Sequence, residues 1–171
     1  IDMSEIAESI EKVILGPERR GRVINPEEKK IIAYHEAGHA LVAASLPLAD
    51  PVQKISIISR GHAGGYTLAV PTEDKTLHSR KYFLEELATL LGGYASEKLV
   101  FSDTTTGPSN DLERATHMAR GMVTRYGMST LGARTFGRKE ELVFLGRELH
   151  EERDYSDETA KTIDAEVSRF V

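Results

Sequence analysis

Asn25-Pro26-Glu27-Glu28-Lys29-Lys30-Ile31-Ile32-Ala33-Tyr34-His35-Glu36-Ala37-Gly38-His39-Ala40-Leu41-Val42-Ala43-Ala44-Ser45 carries a helix and a chemical pattern at once. Asn25 is a good N-cap, Pro26 suits the first helical position, and Glu27 and Glu28 sit where the helix dipole favours negative charge. Leu46 precedes Pro47, which disfavours helix at the residue before it, so the helix ends near Ser45. Its apolar set is Ile31, Ile32, Tyr34, Leu41 and Val42, while Ala33, Ala37, Ala40, Ala43 and Ala44 permit close packing.

Upstream, Ser4 caps a first helix bearing Ile6, Ile10, Val13 and Ile14, which stops at Gly16-Pro17. Downstream, residues 52–59 and 66–70 read as strands around a glycine-rich turn at 61–65. Helical spacing returns from Leu77 to Gly92-Gly93, with 94–101 continuing it. After a Thr-rich loop, Ser109 caps a helix over 110–126 that Gly127 closes. Residues 132–146 look irregular. A last helix starts at the Ser156 cap, with Ala160, Ile163, Val167 and Phe170 on one face, a face left unfinished where the sequence stops. The fold class is mainly α with a small β element, and both ends read as boundaries within a longer protein.

With 171 residues, 40% hydrophobic and 29% charged, the chain suits one globular domain with a sizeable core. A net charge of −5 argues against nucleic-acid binding, which needs clustered Lys and Arg; the run Arg19-Arg20-Gly21-Arg22 is too short to reverse that. Cysteine is absent, which removes disulfides, thiol nucleophiles and every Cys-containing zinc site. The longest apolar stretch, residues 40–49, is broken by Ser45 and Pro47, and the first residues lack a signal peptide's basic start.

Any metal must therefore be held by His, Asp or Glu, and His35-Glu36-Ala37-Gly38-His39 is the pattern that can do so. Residues i and i+4 stand one above the other on a helix, so both imidazoles can reach one ion, with Glu36 offset towards a water on that ion. Zinc suits two neutral imidazoles, a carboxylate and an open position, and Glu36 would take the water's proton as it attacks an amide carbonyl. Chance placement in this composition gives about 0.02 such matches. Three polar residues interrupting an Ala/Ile/Leu/Val-rich helix would also be costly to bury without a ligand or partners. The third ligand stays open. A metzincin arrangement needs Gly at 42 and His at 45, where this chain has Val42 and Ser45, and a deformylase-like site needs cysteine. Asp111 and Glu97 remain, Asp111 also explicable as a helix-start carboxylate and Glu97 as a solvated or capping one.

His35-Glu36-Ala37-Gly38-His39-Ala40, then Leu91-Gly92-Gly93, then Thr105-Thr106-Gly107-Pro108-Ser109-Asn110-Asp111-Leu112-Glu113-Arg114-Ala115-Thr116 together resemble the peptidase domain of the FtsH family, membrane-anchored AAA+ zinc proteases. Residues 4–20 are similar to the end of that family's ATPase module, and Gly127-Met128-Ser129 and Leu145-Gly146-Arg147 also match. The resemblance implies a helical, zincin-like domain over 21–171, incomplete at its C-terminus, after the ATPase end and linker at 1–20. It implies His35, His39 and Asp111 as zinc ligands, Glu36 as general base, and Glu97 as a residue orienting a ligand from behind. It further implies Zn2+ as cofactor, with ATP and Mg2+ serving only an ATPase module that these residues lack, since no Gly-x-x-x-x-Gly-Lys-Ser/Thr occurs. The partners it implies are unfolded polypeptides and five further subunits, identical or paralogous, anchored to a membrane by other segments. The peptidase domain would face the bacterial cytoplasm or an organelle interior.

His62 reads as an exposed turn residue, His117 as a surface or packing one, and His78 and His150 lack ligand patterns. Gly64-Gly65-Tyr66 opens a strand whose edge could accept an extended polypeptide. A reading from another class, an oligomerisation module with a dead site, is told apart by zinc-dependent casein cleavage.

Overall fold

The computed structural model describes residues 2–18, 25–59, 64–71, 73–139 and 151–171. Residues 60–63 of the glycine-rich turn, with His62, lie outside that set, as do the basic run 19–22, the 145–147 motif and His150. The helices are α1 (Met3–Leu15), α2 (Pro26–Ser45), α3 (Arg80–Phe101), α4 (Ser109–Thr124) and α5 (Asp157–Phe170). Among the described residues there are also two antiparallel pairs: β1 (Val52–Ser56) with β2 (Tyr66–Ala69), and β3 (Arg138–Lys139) with β4 (Glu151–Glu152). The architecture is mainly α with a small β element, as the periodicity implies.

Local signals decide most boundaries. Asn25 accepts the Glu28 amide and Ser156 accepts that of Thr159, both as expected. The first helix differs, because Asp2 rather than Ser4 is the cap. Asp2 accepts from the Glu5 amide while Glu5 accepts from the Asp2 amide, a reciprocal pair that Ser4 cannot make. Ser109 likewise lies inside α4, its amide reaching the Thr106 carbonyl, so the preceding turn replaces a side-chain cap. That helix ends at Thr124, earlier than Tyr126, and Gly127 takes the left-handed conformation (φ 60°) that lets the Met128 amide reach Met122 O. The β3–β4 pair has no expected counterpart, since two residues a strand are too few to show a period.

The apolar core is built by α3, α4 and α5. Leu87, Leu90, Ala115, Ala119, Met122, Val123, Phe136, Ile163 and Val167 form it, with Phe170 packed against it. On the α5 face, Ile163 and Val167 bury against α4, while Ala160 and Phe170 stay half-buried. The α2 helix behaves oppositely. Its expected apolar residues Tyr34 and Leu41 are exposed, at 41% and 71%, and its buried face is His35, Glu36, Gly38, His39, Ala40 and Ala43.

The cause is a backbone crossing. A Cβ on Gly38 would strike the Gly92 carbonyl, and one on Gly92 would lie 2.8 Å from Gly38 O, so α2 and α3 touch main chain to main chain. Gly92 and Gly93 do not end α3, which runs unbroken to Phe101. Glycine in a helix interior costs about 1 kcal/mol relative to Ala. Two in succession are kept here because nothing larger fits between the helices.

Candidate metal centre

The crossing sets what α2 can present to α3. With backbones in contact at Gly38 and Gly92, the neighbouring turns of α2 bring His35 and His39 against α3, their ring centroids 4.7 Å apart and nearly perpendicular. His39 Nδ1 lies 2.7 Å from the Thr89 carbonyl, and His35 Nδ1 lies 2.8 Å from Glu97 Oε1. A carbonyl and a carboxylate only accept, so each Nδ1 carries the hydrogen and each Nε2 keeps its lone pair. The outer partners thereby fix both tautomers and both ring planes.

These two Nε2 atoms converge 3.0 Å apart, and Asp111 Oδ2 from the first turn of α4 lies 3.3 Å from one and 3.4 Å from the other. Three electron-pair donors on one small triangle repel unless a cation sits among them. The corners of a tetrahedron around a metal with Zn–N bonds of about 2.0–2.1 Å are about 3.3–3.4 Å apart. The spacing therefore fits an ion of that size, and His35, His39 and Asp111 can hold one.

Electrostatics agree. Burial opposes charge on His35, yet the carboxylates of Asp111 and Glu97 on either side of its ring outweigh that and raise its basicity. Burial would also raise Asp111, but His35 and His39 hold it well below the usual carboxylate range. The cluster thus attracts a positive charge in either form, proton or metal, and the two compete.

Glu97 is brought to the site but not to the triangle. It is 1% exposed, and its second oxygen accepts from the Thr105 amide at 2.9 Å and the Thr105 hydroxyl at 3.0 Å. It ties the back of His35 to the loop that delivers Asp111. Glu36, also buried, accepts a hydrogen bond from the Thr67 hydroxyl. Burial pushes its carboxyl up and the Thr67 bond pulls it back. His117 and His78 stay exposed, the latter stacked on Tyr82, and neither is among the three donors.

Residues 22–171 match the family model of Peptidase family M41. The chain belongs to peptidase family M41. It is 56% identical over its whole length to the ATP-dependent zinc metalloprotease FtsH 1 of Sphaerobacter thermophilus. It is also 54% identical to the proteins of Thermomicrobium roseum and Rubrobacter xylanophilus, named ATP-dependent zinc metalloprotease FtsH 1 and ATP-dependent zinc metalloprotease FtsH. The chain spans 26% of the length of each of these relatives. The resemblance drawn from the three motifs is thereby borne out. Among the described residues, no helix of this M41 chain is long and apolar enough to cross a membrane.

Sequence reasoning about this M41 chain passed over Thr89, Thr67, Thr105 and the role of Gly93. The first acts through its backbone, which no side-chain pattern reveals. Gly93 did carry a signal, a second glycine inside a helix. A Cβ there would lie 2.5 Å from His35 Cε1 and 2.6 Å from the Nε2 atoms of both histidines. Gly93→Ala is therefore expected to improve helix propensity yet lower metal affinity by about 10–100-fold, as when ligand orientation is lost. Zinc content after dialysis against a weak chelator checks this; full retention would show that the rings can shift at no cost.

Proposed function

We propose that this chain is a zinc endopeptidase domain in which His35, His39 and Asp111 hold the metal and Glu36 is the general base. The observation that carries this is the triangle of three donors with both imidazole tautomers fixed from behind. When bound, zinc lowers the pKa of a water from about 15.7 towards about 7 and polarises the carbonyl to be attacked. Glu36 accepts the proton of the attacking water as its oxygen bonds to the carbonyl carbon. The same carboxyl then gives that proton to the departing amine as the C–N bond breaks. The products are one new carboxyl end and one new amino end.

β2 has a strand partner on one side only among the described residues, and its residue Thr67 touches Glu36. An extended polypeptide added along the other edge would be gripped by its main chain, with little side-chain selectivity. Substrates are then unfolded chains. The relatives' names support a larger, ATP-dependent protein, and the M41 match beginning at residue 22 supports dividing residues 1–20, an ATPase end and linker, from 21–171. By the same family reading the whole protein is a membrane-anchored hexamer, processing chains handed over by its ATPase ring, with the peptidase domain on the cytoplasmic or organelle-interior side.

The test is zinc-loaded chain with casein and a stable folded protein as paired substrates, each with and without ATP. Casein is expected to be cleaved irrespective of ATP, with loss on chelation and recovery on adding zinc. The folded protein should survive, because a domain with ~5–15 kcal/mol of stability rarely exposes an extended segment. No zinc-dependent cleavage of casein would favour an oligomerisation module with a dead site.

A further inference from the structure

We propose that Thr67 is a positioning residue for peptide hydrolysis, holding one oxygen of Glu36 so that the other stays aimed for proton transfer. The inference rests on the reading of Glu36 as general base and deepens it. Thr67 Oγ1 lies 2.9 Å from Glu36 Oε2 and 3.0 Å from the Glu36 backbone carbonyl oxygen. A hydroxyl has one hydrogen, shared here between two acceptors of the same residue, so it fixes the carboxylate relative to its own main chain. Glu36 is 7% exposed, and the second oxygen faces a gap left by glycine: a Cβ on Gly65 would come within 2.9 Å of Oε1. Gly65 stands immediately before β2 and Thr67 within it. The start of the strand thus supplies a donor for one oxygen, and the glycine before it leaves room for the other.

The strand itself is anchored from its opposite face. Tyr66, buried, donates its hydroxyl hydrogen to Glu11 Oε2 at 2.8 Å, and Lys54 on β1 holds the same carboxylate at 2.7 and 2.9 Å. Ile55 pairs with Thr67 and Ser56 with Tyr66 in the ladder. Thr67 is therefore held by its ladder pairing with β1 and by its neighbour Tyr66, which is tied to an α1 carboxylate, and this lets its hydroxyl act as a rigid stop. A buried carboxylate that loses its donor turns towards another partner, and a misplaced base slows proton transfer while leaving substrate binding and metal alone.

The experiment uses the full-length protease that contains this chain, zinc-loaded, with a short fluorogenic peptide. Thr67→Val removes the hydroxyl and keeps the shape. It is expected to lower kcat about 10–100-fold with KM and zinc content essentially unchanged, and Thr67→Ser is expected to restore most of the rate. In a crystal structure of the Thr67→Val protein the Glu36 carboxylate should be rotated from its present orientation. Thr67→Ala gives the same reading should the valine variant not fold. Parental kcat in Thr67→Val, failure of Thr67→Ser to rescue, or a rate loss matched by loss of zinc or melting temperature would each overturn the proposal. Glu36→Gln, run beside them, separates the two failures. If it stays active, the reading of the base is wrong; if it is inactive while Thr67→Val is not, only the role of Thr67 falls.

Discussion

Glu36→Gln is expected to retain zinc at the parental level while peptide hydrolysis falls by about 10²–10⁴-fold or more. The amide is nearly the same size as the carboxylate, and its oxygen can still accept from the Thr67 hydroxyl that now lies 2.9 Å away. The three donors of the triangle are untouched, so metal affinity has no reason to change. What is lost is a group that can accept the proton of the attacking water and return it to the departing amine. Zinc stoichiometry and kcat, measured on one preparation, decide the matter. Turnover near the parental rate would remove Glu36 from the mechanism, and zinc loss in step with activity would make it a ligand instead.

The second large effect separates the two carboxylates that compete for the third ligand position on sequence grounds. Asp111→Ala is expected to weaken zinc binding on the order of 10²–10³-fold, the share of one ligand in a total of about 10–16 kcal/mol. Glu97→Ala should cost only about 10–100-fold, because it orients His35 without touching the ion. Stability should rank the other way. Glu97 is almost wholly buried and accepts from His35, the Thr105 amide and the Thr105 hydroxyl, so its removal leaves several buried donors without partners. Chelator competition together with thermal melting reads both orders. Tighter zinc binding in Asp111→Ala than in Glu97→Ala would make Glu97 the third ligand.

Much of this was legible in the sequence because the signals are local. Asn25, Pro26 and Ser156 mark helix starts by chemistry that acts within one turn, and the His35-to-His39 spacing is itself a statement about a helix face. The third donor was less legible, since the distance between Asp111 and α2 depends on how α3 and α4 cross, and residue spacing carries no such angle. Composition misled in one respect. The Ala/Ile/Leu/Val-rich α2 reads as a helix buried on most sides, but Gly38 and Gly92 determine which side is covered, and they turn Leu41 out. Cap assignments failed where two signals compete, as at Asp2 and Ser4, and the β3–β4 pair is too short to register at all. Thr89 could not be found this way, because what it supplies to His39 is a main-chain carbonyl that any residue would have.

The separation of the α3–α5 core from the buried face of α2 bears on how this domain can change under selection. Among the described residues, the aliphatic cluster and the donor triangle have no side chain in common. Repacking Met122 or Ile163 changes a stability threshold without moving a ligand, and effects at such separated positions usually add. Gly38, Gly92 and Gly93 have no comparable freedom, because any side chain there meets backbone or imidazole. A lineage adapting to a new temperature can drift widely in the α3–α5 core while the α2–α3 crossing stays almost frozen, and a mutational scan would see that as two regions of sharply different tolerance.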